Sequence, residues 1–156
     1  MSVATNFAEF SQEIDRFVAA IPGKANLVKR RIALQVLTGV VMRTPVGKKE
    51  LWAINIERAA KGLKPIPPGY VGGRARGNWQ TTISSPASGV LARKDKTGQA
   101  AINAGSSTIG MAQPGQDIWI SNNLPYIERL EDGHSTQAPA GMVALTLTAV
   151  KAEFHR

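Results

Sequence analysis

The sequence predicts an α+β fold with a long projecting loop, and three observations carry that expectation. Apolar residues recur at helical spacing near both ends of the chain, over 7–21 and 28–41 and again over 143–154. Short alternating or aliphatic runs at 78–84 and 118–120 lie between them and read as strands. The stretch 46–73 is interrupted by Pro65, Pro67, Pro68, Gly69, Gly72 and Gly73, and its later part suits neither a helix nor a central strand. At 156 residues one domain is expected: a helical part over 1–45, an arm over 46–73, and an α+β core over 74–156 that ends in a helix.

In the first helix Phe7, Phe10, Ile14, Phe17, Val18 and Ile21 share a face. Asn6 with Glu9 reads as a capping pair, and Pro22-Gly23 as the stop. The second helix is expected over 25–43, with Val28, Ile32, Val36, Leu37, Val40 and Val41 inward and Lys29, Arg30, Arg31 and Gln35 outward. Thr44 precedes Pro45 and is therefore biased away from helix, which ends the element. Trp52, Ile56, Ala59, Ala60 and Leu63 keep helical spacing and predict a short helix over 49–61 within the arm.

The strand at 78–84 places Trp79, Thr81 and Ile83 on one side and Gln80, Thr82 and Ser84 on the other. A second short strand is expected over 90–93, and a helix weakened by Gly105 and Gly110 over 99–111. Ile118-Trp119-Ile120 is the clearest strand, followed by a short helix over 125–131 that closes at Gly133. The last helix is expected from Pro139 or Ala140 onward, with Val143, Leu147, Val150 and Phe154 on its stripe. Four apolar side chains cannot alone offset the entropy of ordering it, so it is expected to dock on a sheet or other helices.

The net charge of +8 is unevenly placed. Fifteen Lys or Arg and three acids lie between Lys24 and Lys96, whereas the rest of the chain has four bases and eight acids. That asymmetry fits a surface near nucleic acid or an acidic partner, or else solvated faces. The absence of cysteine excludes a disulfide framework, a thiolate metal site and a cysteine nucleophile. No run approaches the ~18 apolar residues of a membrane span, and the first residues lack the flank and core of a secretory signal. The chain is expected in the cytoplasm, or assembled there into something larger.

Glu128, Glu131, Asp132 and His134 gather acids beside an imidazole. Zinc sites need three or four ligands at fixed spacings, and no His-x₃-His is present. The plainer reading is a helix end, with Gly133 as its left-handed cap and His134 at the negative pole. No nucleophile-elbow sequence occurs, and His155 reads as a solvated terminal side chain. Gly72-Gly73-Arg74-Ala75-Arg76-Gly77 lacks the Gly-Lys-Ser/Thr of a P-loop. It reads as a turn feeding a strand, or as two arginines on a flexible lead-in that reach phosphates or carboxylates. Trp79, Trp119 and Tyr126 fit base stacking or sheet core, with sheet core the expectation. Asn122-Asn123 suits a turn that needs its backbone groups satisfied. No enzyme, cofactor or metal is expected.

Five pieces occur in order: Thr44-Pro45-Val46, Arg74 to Trp79, Asn122 to Tyr126, Leu130 to Ser135, and Gln137 to Val143. Together they resemble the neck and tail-completion (head–tail joining) proteins of tailed bacteriophages. Members commonly run from Thr-Pro-Val through Asp-Thr-Gly into the arginine segment, whereas 47–73 intervenes here. The resemblance implies a small, mostly antiparallel sheet packed against helices. It also implies a structural virion protein that forms a ring, most often six-fold, between head connector and tail. The implied partners are further copies of itself and the adjoining connector and tail proteins. Double-stranded DNA would pass through the lumen without specific recognition; no membrane or small-molecule substrate is implied. Loop exposure makes Lys48, Lys49, Trp52, Arg74, Arg76, Asn122, Asn123, Tyr126, Glu131 and His134 the candidate interface residues. Strong phosphate binding in a channel would hinder DNA passage, so the basic stretch is expected to face protein. The alternative is a small basic nucleic-acid-binding module, supported by a pI near 10.2, the arginine segment and the aromatics.

Overall fold

The computed structural model describes residues 3–20, 23–47, 54–65 and 71–154. Among them the order is α1 (Val3–Ala19), α2 (Ala25–Arg43), α3 (Ile54–Ala60), α4 (Arg74–Gly77), β1 (Gln80–Ile83), α5 (Gln99–Met111), β2 (Ile118–Ser121), α6 (Ile127–Glu131) and α7 (Val143–Phe154). This is a mostly helical α+β arrangement of seven helices and one two-stranded antiparallel sheet. The strands pair Gln80 with Ser121, Thr81 with Ile120, Thr82 with Trp119 and Ile83 with Ile118.

Helix α2 is the centre. Leu37, Val40 and Val41 are buried among Trp79, Ala101, Ile109 and Met142, so one helix gathers residues from widely separated parts of the chain. It packs against α5, α7 and α1, and α5 in turn packs on β1. Gly105, which reads in the sequence as a weakness in α5, is what allows that packing. A Cβ there would come within 2.4 Å of Leu37 Cδ2 and 2.6 Å of Thr81 Oγ1. At the ends of α1 and α7, Phe17 and Phe154 meet edge to face with ring centroids 5.2 Å apart.

Several boundaries differ from expectation. α1 begins at Val3, so Asn6 lies inside the helix rather than capping it. The expected strand at 78–84 starts only at Gln80, because 74–77 form α4 and Asn78 closes that helix. No strand forms over 90–93. There the Asn78 amide donates to Leu91 O at 3.1 Å and accepts from Leu91 N at 2.7 Å, a side chain taking the place of a partner strand. α7 starts at Val143 rather than Pro139 or Ala140, since Gly141 sits in the left-handed region at φ 81°. In the third helix the part over 49–53 lies outside the described residues, as do Pro67, Pro68, Gly69 and His155; α3 accounts for the remainder. Lys29 and Arg30 do not simply face solvent: Lys29 Nζ donates to Gln116 O, and Arg30 Nε and Nη2 to Ala112 O.

Candidate functional site: an interface built behind a side-chain network

The five sequence pieces are linked in a chain of hydrogen bonds that starts at the C-terminus of α2. Thr44 is fully buried; its hydroxyl donates to Val40 O at 2.6 Å and accepts the Trp79 indole N–H at 2.7 Å. The Arg76 guanidinium donates to Thr44 O at 2.8 Å, Met42 O at 3.2 Å and Lys96 O at 2.7 Å. A cation there meets carbonyls that a helix end leaves without partners, at its negative pole. Burial lowers the Arg76 pKa from its ordinary value, opposed by the nearby Asp95 carboxylate. Arg76 is therefore a clamp seated in α4, not part of a flexible lead-in.

Two carboxylates cap helices from outside the usual position. Asp95 accepts from Gly98 N at 2.8 Å, Ala101 N at 3.0 Å and the Thr97 hydroxyl at 3.0 Å, closing the start of α5. Burial pushes its carboxyl up, but the N–H groups of Ala101 and Gly98 and the Thr97 hydroxyl outweigh that and hold it below 3.8. Glu131 accepts from Met142, Val143 and Ala144 N–H at 2.7, 2.8 and 2.9 Å, closing the start of α7.

Asn122 donates to Ala75 O at 2.9 Å, and Asn123 to Ala87 O and Gly89 O at 2.8 and 3.0 Å. Gln137 and the Val46 backbone exchange two bonds, at 3.2 and 3.0 Å. Gly133 and His134 N–H close α6 onto Leu130 O and Arg129 O in a Schellman pattern, as the helix-end reading expects. Of the ten candidate interface residues, Arg76, Asn122, Asn123 and Glu131 thus have polar groups engaged in holding the fold. Arg74, Tyr126 and His134 lie at the surface. Lys48, Lys49 and Trp52 lie outside the described residues. Trp79 is core, whereas Trp119 is over a third exposed.

Two features have no counterpart in the sequence reading. One is an apolar groove between α1 and the face made by α2, β2 and α7. It comprises adjoining cavities of ≈ 410 and ≈ 580 Å³ that share Phe7, Trp79, Ile120 and Val143. Five carboxylates line it (Asp15, Asp117, Glu128, Glu131 and Asp132) against the single base Lys29. Glu128, Glu131 and Asp132 belong to the acidic run already noted in the sequence, whereas Asp15 and Asp117 come from α1 and the loop before β2, so no local run announced the five together. Among the described residues no group of three or more His, Asp or Glu is placed to hold a metal ion.

The other feature is the closure of the arm. A Cβ on Gly72 would fall 2.0 Å from Gly47 O, so the chain leaves and returns at one point. Within the arm, α3 stops at Gly62 in a second Schellman pattern, Gly62 N to Ala59 O and Leu63 N to Arg58 O. Residues 59–65 are exposed throughout, and α3 makes no more than marginal contact with other described elements.

No family model matches the chain, and no curated protein and no solved structure is significantly similar to it.

Proposed function

We propose that this chain is a structural subunit of the bacteriophage head–tail junction, a neck or tail-completion ring component that joins connector to tail and lets DNA pass. One observation carries the reading. The five pieces that resemble that family, scattered from Thr44 to Val143, are joined by caps and clamps that run from the α2 terminus through α4 to the start of α7. Residues so placed preserve a shape, which is what a subunit of an assembly needs. The long departure from the family's pattern is an excursion whose ends touch at Gly47 and Gly72, so it leaves that network uninterrupted.

The nucleic-acid reading has less behind it. Lys29, Arg30, Arg76 and Arg93, all within the basic stretch, are engaged on backbone carbonyls, and the apolar groove beside α1 is lined by five carboxylates, which repel phosphate. Electron microscopy of the purified protein tests the proposal. Closed rings with an axial opening are expected. Particles that remain single subunits at every concentration, or open filaments, would count against it.

A further inference from the structure

Helix α3 is seven residues long, and helices under ~12–15 residues are marginal in water without packing. It nevertheless ends in a formed Schellman stop, reinforced by Arg58 Nε donating to Lys64 O at 2.9 Å. Ile56, Ala59, Ala60 and Leu63 fall at i, i+3, i+4 and i+7, one face of the helix continued into its stop. Leu63 is half exposed, and Ala59 and Ala60 face solvent. A short helix with an apolar stripe, built to hold its shape yet no more than marginally covered by the other described elements, is suited to a surface elsewhere.

The acid-lined groove has the complementary character. In a chain of net charge +8, its lining carries five carboxylates and one lysine. Glu131 is engaged at α7, while Asp15, Asp117, Glu128 and Asp132 are exposed at the rim. Its walls are apolar: Phe7, Phe10, Ile32, Val36, Ile118 and Leu147. The segment carrying α3 presents Arg58, Lys61 and Lys64 beside its apolar face, against Glu57 alone.

We infer that the α3 arm of one copy lies in the acid-lined groove of the next, the helix-in-groove mode of recognition. The contact joins two different patches, so it is heterologous and can close a ring. The basic side chains meet the carboxylate rim, which sets orientation and speeds encounter; Leu63 and the alanines enter the groove. This inference rests on the ring-subunit reading, whose failure the experiment separates from its own.

The chain has no cysteine, so single thiols can be placed cleanly. Leu63→Cys and Trp119→Cys chains, both changed at exposed positions, are mixed and treated with a short bismaleimide, and linked dimers are compared with a Leu63→Cys and Leu145→Cys mixture. Leu145 is exposed on the side of α7 away from Val143 and Leu147. Docking raises the local concentration of the paired thiols, so roughly tenfold or more linked product is expected for the groove pair. Equal yields in a wild-type protein that forms rings would overturn the arm–groove contact and leave the ring reading standing. A monomeric wild type with no linking would overturn both. Linking within a dilute chain that carries both Leu63→Cys and Trp119→Cys would mean the arm covers its own groove, also overturning the contact. Charge reversal gives an independent measure. Lys61→Glu/Lys64→Glu chains and Glu128→Lys/Asp132→Lys chains should each self-associate more weakly than wild type, and mixing them should restore association; unchanged association in both variants would contradict the inference.

Discussion

Glu131 stands three residues from His134, in a cluster that resembles acid–base chemistry, yet its carboxylate accepts three N–H groups at the start of α7. Glu131→Ala leaves those donors without that partner and should cost about 1–2 kcal/mol, the scale of a lost helix cap; Glu131→Gln keeps one acceptor oxygen and should cost less. Urea titration measures both, and equal stability of Glu131→Ala and wild type would remove the capping role. Asp95 makes the same kind of contribution with a pH signature. Its folded carboxyl titrates below 3.8, so as pH falls the unfolded chain takes up the proton first. The stability it adds is full above pH 3.8 and is lost as pH falls through its lower folded value. The gap in denaturation midpoint between wild type and Asp95→Asn should therefore narrow as pH falls below the usual aspartate range. Asp95 was partly legible, because an Asp-x-Thr-Gly run precedes a helix; Glu131 was not, because its targets lie 11 to 13 residues away.

At the scale of elements, α2 was readable in extent, though not in the carbonyl contacts of Lys29 and Arg30. Its stripe and its stop at Thr44-Pro45 are both local signals, and the structure ends the helix at Arg43 with Thr44 extended. α5 was readable in extent, but the role of Gly105 was not, since the close approach of Leu37 and Thr81 comes from elsewhere in the chain. Gly105→Ala should gain about 1 kcal/mol of helix propensity but meet overpacking worth about 1–3 kcal/mol. A net loss in thermal melting is the expected result, and a gain would show that the helices can part. The strand expected at 90–93 failed because Asn78 supplies both hydrogen bonds that a neighbouring strand would have supplied to Leu91. Side-chain stand-ins of this kind leave no periodic trace. The same limit applies to the groove, whose carboxylates come from α1, the loop before β2, and α6.

Taken as one molecule, the chain joins a core closed by long-range caps to an arm whose ends touch at Gly47 and Gly72. Replacing 48–71 with a short Gly-Ser link should leave the thermal transition within a few degrees of wild type. The core network joins Thr44 and Val46 on one side of the excursion to residues beyond Gly73 on the other, and among the described residues α3 within the excursion bonds only to its own stop. The same variant should lose self-association, separating the arm's role in assembly from any role in folding; collapse of the fold would contradict that division. The central claim is that this chain assembles with itself and treats nucleic acid as a passenger. Size-exclusion chromatography with light scattering tests it most directly, on the full chain at low and high salt, with and without duplex DNA. The prediction is one discrete multiple of the 16.7 kDa subunit mass that persists at high salt and is unchanged by DNA. A monomer that moves onto DNA at low salt and leaves it at high salt would contradict the account and point to a nucleic-acid-binding module instead.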